Sequence, residues 1–391
     1  MKFTDMALQE SILEALAGMG LTHPTDIQLE AIPLIQEGHD VIGQSETGSG
    51  KTIAFGAPIV EKTKRGLRGQ ALIIAPTREL ARQIAHILRK LSEPKGLEVQ
   101  TVYGGLGFNQ QIRGLKRAEI IVGTPGRILD LMIRGALVTD NIHTFVLDEA
   151  DTMVDMGFIT DMERIETNIP RDRQTLLFSA TMHEGVKSIV ERFAVNPRKV
   201  KTEIRISHEL LKQQYYNVKT HEKFSLLVYL LGMENPESAL IFCNMRKSTD
   251  ILAQNLKMQG VKAEALYGTL GQHKREEILD KFHRGRIRFL AATNVAARGL
   301  DIADISHIFN YDIPDNTEDY INRIGRTARA GKSGTAISLV GEHERRTFQK
   351  ITQQFKNELA RMELPRFAKL PWKEKPKGKK KRSYRRRSRR R

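Results

Sequence analysis

A single cysteine, Cys243, in 391 residues excludes an intramolecular disulfide framework and any multi-cysteine zinc site. It suits a reducing compartment. No apolar run approaches the roughly 20 residues that a bilayer span needs. Residues 1–9 contain Asp5 and no continuous apolar stretch, so they do not read as a signal peptide. The 11 histidines are scattered and form no metal-ligand cluster with the lone cysteine. The expectation is a soluble, cytoplasmic chain with no membrane partner. A nuclear location enters only if the basic tail acts as a localisation signal.

Acidic charge is also scarce. There are 63 Lys and Arg against 46 Asp and Glu, a net +17. The excess is concentrated: residues 373–391 hold 13 Lys/Arg and one acid, +12, which leaves +5 for the rest. The high isoelectric point therefore belongs to a tail. That tail, with Pro365, Pro371 and Pro376 ahead of an almost pure Lys/Arg/Ser run, cannot bury enough apolar area to order itself. We expect disorder over 363–391 and a role as a non-specific nucleic-acid tether.

The remainder is 40% hydrophobic by whole-chain composition and long enough for two domains. Short Val/Ile/Leu/Phe-rich runs alternate with helical stretches. Strands are expected at 40–43, 70–75, 98–103, 119–122, 144–147 and 174–178. A second series is expected at 239–243, 262–266, 288–292, 307–311 and 334–340. Near-continuous apolar strands separated by helices predict parallel sheets covered on both faces, so each half reads as an α/β doubly wound domain. The boundary falls between Asn196-Pro197 and about Gln213, giving domains 1–205 and 206–362.

Ser45-Glu46-Thr47-Gly48-Ser49-Gly50-Lys51-Thr52 lies between a predicted strand and a predicted helix. Strand, glycine loop and helix form the context of a phosphate cradle, in which backbone N–H groups and the helix N-terminus face the anion. Lys51 reaches the phosphates and Thr52 offers a hydroxyl to Mg²⁺. Ser45 holds the position usually occupied by the first glycine. The apolar run 144–147 ends in Asp148-Glu149-Ala150-Asp151. Asp148 at a sheet's C-terminal edge can hold Mg²⁺, usually through water. Glu149 is then placed to orient or deprotonate an attacking water.

These elements, with others in the same order, resemble the DEAD-box family of ATP-dependent RNA helicases. Residues 20–28, ending in Gln28, resemble the Q motif, with Phe3 seventeen residues ahead of Gly20. Pro76-Thr77-Arg78-Glu79-Leu80 resembles motif Ia, Gly104-Gly105 the GG element, Thr124-Pro125-Gly126-Arg127 motif Ib and Ser179-Ala180-Thr181 motif III. The resemblance implies two tandem RecA-like domains followed by the basic tail. It implies ATP as substrate and Mg²⁺ as cofactor. Phe3, Thr25, Gln28, Thr47, Gly48, Ser49, Gly50, Lys51, Thr52, Gly299 and Asp301 would bind the nucleotide. Phe3 would stack on the base and Gln28 would read its edge. Pro76, Thr77, Arg78, Gly105, Thr124, Gly126 and Arg127 would hold RNA in the first half, and Gly268, Gln272, Arg275 and Thr293 in the second. These residue types suit phosphate oxygens rather than base edges, so RNA binding is expected to be sequence-independent. Ser179 and Thr181 would couple nucleotide state to closure, although as bare residues they could simply cap the following helix.

Asn322-Arg323-Ile324-Gly325-Arg326-Thr327-Ala328-Arg329 resembles motif VI, and residues 293–301 resemble motif V. Arg326 and Arg329, three apart on an expected helix, would be arginine fingers. Lys51, Asp148, Glu149, Arg326 and Arg329 form the expected catalytic set. Three positions depart from the family pattern: Asn322 for His, Asn294 for Asp and Ala328 for Gly. Tyr267 also stands where His is more common. The implied activity is ATP hydrolysis coupled to local unwinding of short RNA duplexes by a monomer. The alternative is an ATP-gated RNA clamp or annealing chaperone with little strand release. Protein partners are not legible.

Overall fold

The computed structural model describes residues 1–45, 48–202, 210–268, 270–297, 305–328, 332–353, 355 and 358–374. The chain forms two compact units that part at Leu210 and Leu211.

In the first unit, β1 (Val41–Gln44), β2 (Ala71–Ile74), β3 (Val99–Val102), β4 (Ile120–Gly123), β5 (Thr144–Leu147), β6 (Gln174–Ser179) and β7 (Arg198–Lys201) form one sheet in the order β3-β4-β2-β5-β6-β1-β7. All its pairings are parallel. Alternation along each strand sends side chains to two separate cores. Val41, Ile73, Val146 and Phe178 enter one. Ile42, Ile74, Phe145 and Leu177 enter the other. This is why the strands read as continuous apolar runs: both faces are covered by helices.

The second unit repeats the plan. β8 (Leu211–Asn217), β9 (Ala239–Phe242), β10 (Ala263–Leu266), β11 (Phe289–Ala292), β12 (His307–Asn310), β13 (Gly334–Val340) and β14 (Leu359–Met362) lie in the order β10-β11-β9-β12-β13-β8-β14, again parallel throughout. Counted from its own first strand, each sheet has the same order. The two halves share a topology that their sequences do not advertise.

Three strands were not expected. β7 is an edge strand in which only Val200 is buried. β8 is polar, yet it lies between β13 and β14 with Gln213 and Gln214 buried. Tyr320 donates its hydroxyl to Gln213 Oε1 at 3.0 Å, and Gln214 Nε2 donates to Met362 Sδ at 3.4 Å. β14 pairs with β8 at the other edge.

The expected disorder of the tail fails for its first part. Phe367 and Leu370 pack against the second unit's core. Trp372 meets Phe224 edge-on at 5.2 Å and stacks with Tyr311 at 6.5 Å. Three apolar residues, Phe367, Leu370 and Trp372, are spaced to reach a ready-made surface, and that contact outweighs the prolines and charges around them. Residues 375–391 lie outside the described residues.

Candidate nucleotide and nucleic-acid site

Sheet order divides the C-terminal edge of the first unit. The loops after β1, β5 and β6 occupy one side and those after β2, β3 and β4 the other, with β2 and β5 adjacent at the middle.

On the first side, the helix Lys51–Lys62 starts directly after Gly50. Gly48 and Gly50 have φ of 90° and 94°, which aim successive peptides in a way that L side chains resist. A Cβ on Gly50 would also collide with the Gln28 amide. Lys51, 6% exposed, donates to the Ser45 carbonyl at 3.0 Å. Ser45 compensates for the missing glycine through a hydroxyl contact with Ser49 at 2.9 Å across the loop. Thr25 Oγ1 donates to the Ser49 carbonyl at 2.8 Å, and Gln28 Nε2 donates to the Gly50 carbonyl at 3.0 Å. Gln28 Oε1 accepts from Thr25 N at 2.9 Å. The Q-motif side chains therefore grip the loop backbone. Gln28 retains one amide hydrogen and one lone pair for a ligand. Phe3 is placed differently from a stacking platform: its ring is buried in the first unit's core. Thr47 lies outside the described residues; Thr52 follows Lys51 on the helix's first turn.

β5 delivers Asp148, 2% exposed, to the same edge. Burial pushes its carboxyl up to about 6, against the opposing pull of the Lys51 ammonium, and Glu149 and Asp151 add to the rise. Glu149 holds a left-handed backbone (φ 54°, ψ 53°) at the start of the helix Ala150–Asp155. Such a conformation costs a non-glycine residue about 1–2 kcal/mol, and strain of this kind gathers at functional sites. Asp151 does a separate job. Its Oδ2 accepts from both the backbone N and Oγ1 of Thr181 at 3.1 Å, and its own N–H donates to Ser179 Oγ at 3.3 Å. Ser179 Oγ donates in turn to the Thr181 carbonyl at 2.7 Å. Ser179 and Thr181 are thus tied to the acidic motif rather than capping the next helix, Glu184–Phe193, whose N-cap is His183.

On the other side, three loops from neighbouring strands converge. Thr77 caps the helix Arg78–Ser92 through its hydroxyl, which accepts from Leu80 N at 3.2 Å; its neighbour Pro76 is buried. The Arg78 guanidinium lies over Gly104 and Gly105, and a Cβ on Gly105 would stand 2.5 Å from Arg78 Nη1. Thr124 precedes the helix Pro125–Ile133, where Gly126 is exposed. Arg127 lies over the Phe108 ring at 4.2 Å and Arg134 at 4.5 Å. Burial lowers the Arg127 pKa, Asp130 opposes the fall, and the nearby charges of Arg78 and Arg134 add to it. Two helix N-termini and a cluster of guanidiniums make this a strip for polyanionic backbone. Phe108 and Arg134 belong to it and were missed; an aromatic flanked by arginines at i+19 and i+26 has no local signature.

In the second unit, Gly268 is exposed after β10 and Thr293 follows β11. Arg275 is 8% exposed on the helix Gln272–His283; the Gln272 side chain is not among those described. The helix Thr317–Ile324 stops before Arg326, and the expected shared face of Arg326 and Arg329 lies outside the described residues. Arg326 follows in a turn, 5% exposed, with its N–H donating to the Arg323 carbonyl at 3.1 Å. Arg329, Gly299 and Asp301 lie outside the described residues.

Arg323, which sequence reasoning passed over, is 1% exposed. Its guanidinium donates to Asn294 Oδ1 at 2.7 Å, Asn244 Oδ1 at 2.7 Å, the Asp312 carbonyl at 2.6 Å and Asn310 Oδ1 at 3.3 Å. Three strand ends, those of β9, β11 and β12, are joined through one side chain.

Comparison with known proteins decides the family. Residues 25–189 match the DEAD/DEAH box helicase family and residues 222–331 match the helicase conserved C-terminal domain. The chain is 44% identical over 366 residues to the DEAD-box ATP-dependent RNA helicase CshA of Geobacillus kaustophilus, covering 93% of this chain and 78% of that protein. It is 46% identical over 368 residues to the ATP-dependent RNA helicase CshA of Listeria monocytogenes, covering 93% and 71%.

The chain belongs to the DEAD-box helicase family. Among solved family structures, it is similar to S. cerevisiae Dbp5 bound to RNA and ADP BeF3, with a TM-score of 0.83, 33% identity and coverage of 92% and 95%. It is also similar to Mss116p bound to ssRNA and AMP-PNP, with a TM-score of 0.81, 27% identity and coverage of 93% and 79%. The fold is thus the tandem RecA-like arrangement of DEAD-box helicases.

Two departures from the family pattern have a physical reading. Asn294 supplies a neutral acceptor to Arg323 where the family has a carboxylate. Ala328 has φ 55°, the left-handed region that the usual glycine occupies freely. Ala328→Gly should therefore stabilise the second unit. Relief of about 1–2 kcal/mol of backbone strain exceeds the roughly 0.4–1 kcal/mol of added unfolded-chain entropy. Denaturant titration should show a gain near 0.5–1 kcal/mol; a loss would contradict the strain argument.

Proposed function

We propose that the chain couples ATP hydrolysis to sequence-independent opening of short RNA duplexes. The observation that carries this reading is the division of one sheet edge. Phosphate-cradle and acidic groups follow β1, β5 and β6, a guanidinium strip follows β2, β3 and β4, and Asp151 joins the acidic motif to Ser179 and Thr181.

In this reading Gly48, Ser49, Gly50, Lys51 and Thr52 hold the phosphates. Gln28 uses its spare amide capacity on the adenine while gripping the loop, so base and phosphate binding are sensed by one side chain. Glu149 orients and deprotonates the attacking water. Arg326 and Arg329 keep the finger role of the family motif. Asp148 and Thr52 are the residues that would hold Mg²⁺. A buried carboxylate at the sheet edge, whose pKa is raised by that burial and by the neighbouring Glu149 and Asp151 charges, is a donor that fits a hard divalent cation. When bound, the ion supplies charge neutralisation to the phosphates.

Arg78, Gly105, Arg127, Thr124, Gly126, Pro76 and Thr77 take one stretch of RNA backbone. Gly268, Gln272, Arg275 and Thr293 take another, with the basic tail as tether. The reading carries with it a monomer in a reducing cytoplasm, which suits the single buried thiol.

The test is ATP hydrolysis with and without single-stranded RNA. Strong stimulation is expected, and Glu149→Gln should lose about 10²–10⁴-fold with ATP binding retained, the usual worth of a general base. No stimulation would remove the RNA-coupled reading. Multiple-turnover strand release separates a helicase from a clamp. Gly105→Ala offers a finer check. The new Cβ displaces the Arg78 guanidinium and strains a residue with φ 88°. RNA affinity should fall about tenfold while RNA-free ATPase stays unchanged; equal loss of both would refute the strip.

A further inference from the structure

One cavity of the second unit takes no part in the site described above. It is a cleft of about 320 Å³ between the helix Arg345–Thr352 and one face of β8 and β14. The helix turns Phe348 and Ile351 into the core, while Arg345 and Gln349, four apart and so on one side, line the cleft. From the sheet come Tyr215 and Asn217, which alternate to the same face of β8, and Arg361, the register partner of Tyr215 on β14. Phe348 packs against the Tyr215 ring at 5.0 Å with a tilt of 57°, which fixes that ring as a wall of the cleft.

Among the described residues, no carboxylate lines the cleft, and the side chains of Asn217, Arg345, Gln349 and Arg361 make no hydrogen bond or ion pair. Glu342 acts on Arg345 only through space, and its Oε2 already accepts from Thr220 N at 3.0 Å and Oγ1 at 3.1 Å. Two guanidiniums at one small volume favour a compact dianion, and a phosphate group can accept from both. The two amides each offer a donor and an acceptor, the pair of functions that a base edge requires. The tyrosine ring gives a planar group a surface to stack on. The volume, near the lower end of the range of about 300–1,000 Å³ for small-molecule sites, holds one mononucleotide rather than a longer chain.

The place of the cleft in the sheet separates it from the residues expected to hold RNA. It lies beside β8 and β14, at the opposite end of the strand order from β10 and β11, which Gly268 and Thr293 follow. β8, β13 and β14 are the counterparts of β1, β6 and β7, so the cleft sits on the side of the second sheet that matches the phosphate-cradle side of the first. No glycine loop follows β8, so recognition falls to side chains instead of backbone N–H groups. We infer that this cleft is a second nucleotide site, which takes a free nucleoside monophosphate. Arg345 and Arg361 hold the phosphate, Tyr215 stacks with the base, and Asn217 and Gln349 meet its edge. The site shares no residue with the ATP and RNA residues named above.

The experiment saturates the full chain with Mg²⁺ and a non-hydrolysable ATP analogue, which fills the first unit's site. Uridine 5′-monophosphate is then titrated in by calorimetry. Uridine and inorganic phosphate should each bind at least about tenfold more weakly than the nucleotide, because each lacks one half of the contacts. Arg345→Gln and Arg361→Gln each remove one charge-assisted partner and should each weaken the nucleotide about tenfold or more. Both side chains are exposed, so both variants should keep the thermal midpoint of the unaltered chain.

The same chemistry occurs at a 5′-phosphorylated RNA end, so oligouridylates with a 5′-phosphate and with a 5′-hydroxyl are tested as competitors of the bound nucleotide. Neither should displace it. Displacement by the phosphorylated strand alone would move the site to RNA ends and overturn the assignment to a free nucleotide. Nucleotide binding no tighter than that of uridine or phosphate, or equal binding by the unaltered chain and both arginine variants, would remove the site altogether.

Discussion

Arg323→Lys is expected to cost the second unit about 3–5 kcal/mol, the scale of breaking a buried, fully hydrogen-bonded charge network. The guanidinium reaches four acceptors in a planar fork, and an ammonium at the end of a flexible stem cannot span Asn244, Asn294, Asn310 and the Asp312 carbonyl together. Each buried acceptor left unpaired costs about 1–3 kcal/mol. The thermal midpoint should fall by about 6–20 °C at 2–4 °C per kcal/mol for a unit of this size. Burial already lowers the Arg323 pKa to about 10, so the group is charged at neutral pH but strained by its desolvation. Its direct partners are neutral oxygens; the nearby carboxylates of Asp319, Asp312 and Asp315 act only through space. Asn294→Asp would place a carboxylate at the 2.7 Å contact and should raise stability rather than lower it. A midpoint for Arg323→Lys within 2 °C of the unaltered chain would show that the strand ends hold together without this side chain.

That network marks the limit of what the sequence could say. Most of the eleven expected strands were legible because they are central and buried on both faces, which writes a continuous apolar run into the chain; the edge strands β3 and β10 showed only the apolar residues at their ends. The phosphate loop and the acidic motif were legible because their chemistry is packed into eight and four consecutive residues. β8 was not, because it is polar and its buried Gln213 and Gln214 meet Tyr320 and Met362, more than 100 residues away. β7 and β14 were not, because β7 buries only Val200 and β14 buries no residue fully. The cage around Arg323 draws on residues 244, 294, 310 and 312, and only the sheet order brings them together. The misassignment of the tail's first part has the same root: composition weighs a segment alone, whereas Phe367, Leu370 and Trp372 are ordered by the surface they meet. In the candidate site, type and order of motif were readable, but the use of Thr25 and Gln28 as clamps on the loop and of Asp151 as a tie to Thr181 were not.

Asp148→Asn should lower hydrolysis by at least about 10²-fold, the scale of losing one electrostatic stabiliser, while making the ligand-free protein more stable. The sign follows from the proton count. The folded-state pKa of about 6 lies above the ordinary 3.8, so between about pH 4 and 6 the folded chain holds a proton that the unfolded chain has released. Stability contributed at this position is therefore greatest below about pH 4, falls as pH rises through 6 and stays low above it. At 1.36 kcal/mol per unit the full cost is about 3 kcal/mol at neutral pH. Asparagine carries no charge to desolvate, and its Oδ1 can still accept from Glu149 N, as Asp148 Oδ1 does at 3.0 Å. Denaturant midpoints of the ligand-free variant should exceed those of the unaltered chain at pH 7.5 and converge with them near pH 4, flattening the slope between. Adding Mg²⁺ and ATP should narrow the difference, because the unaltered carboxylate gains the cation that its burial anticipates and the amide does not. A variant that is less stable at pH 7.5, or that keeps the full slope between pH 4 and 6, would mean that Lys51 already offsets the burial of Asp148. The acidic motif would then be at rest without its metal. If the variant is stabilised, Asp148 is held in an unfavourable state that a bound cation would relieve, beside the Asp151–Thr181 hydrogen bonds.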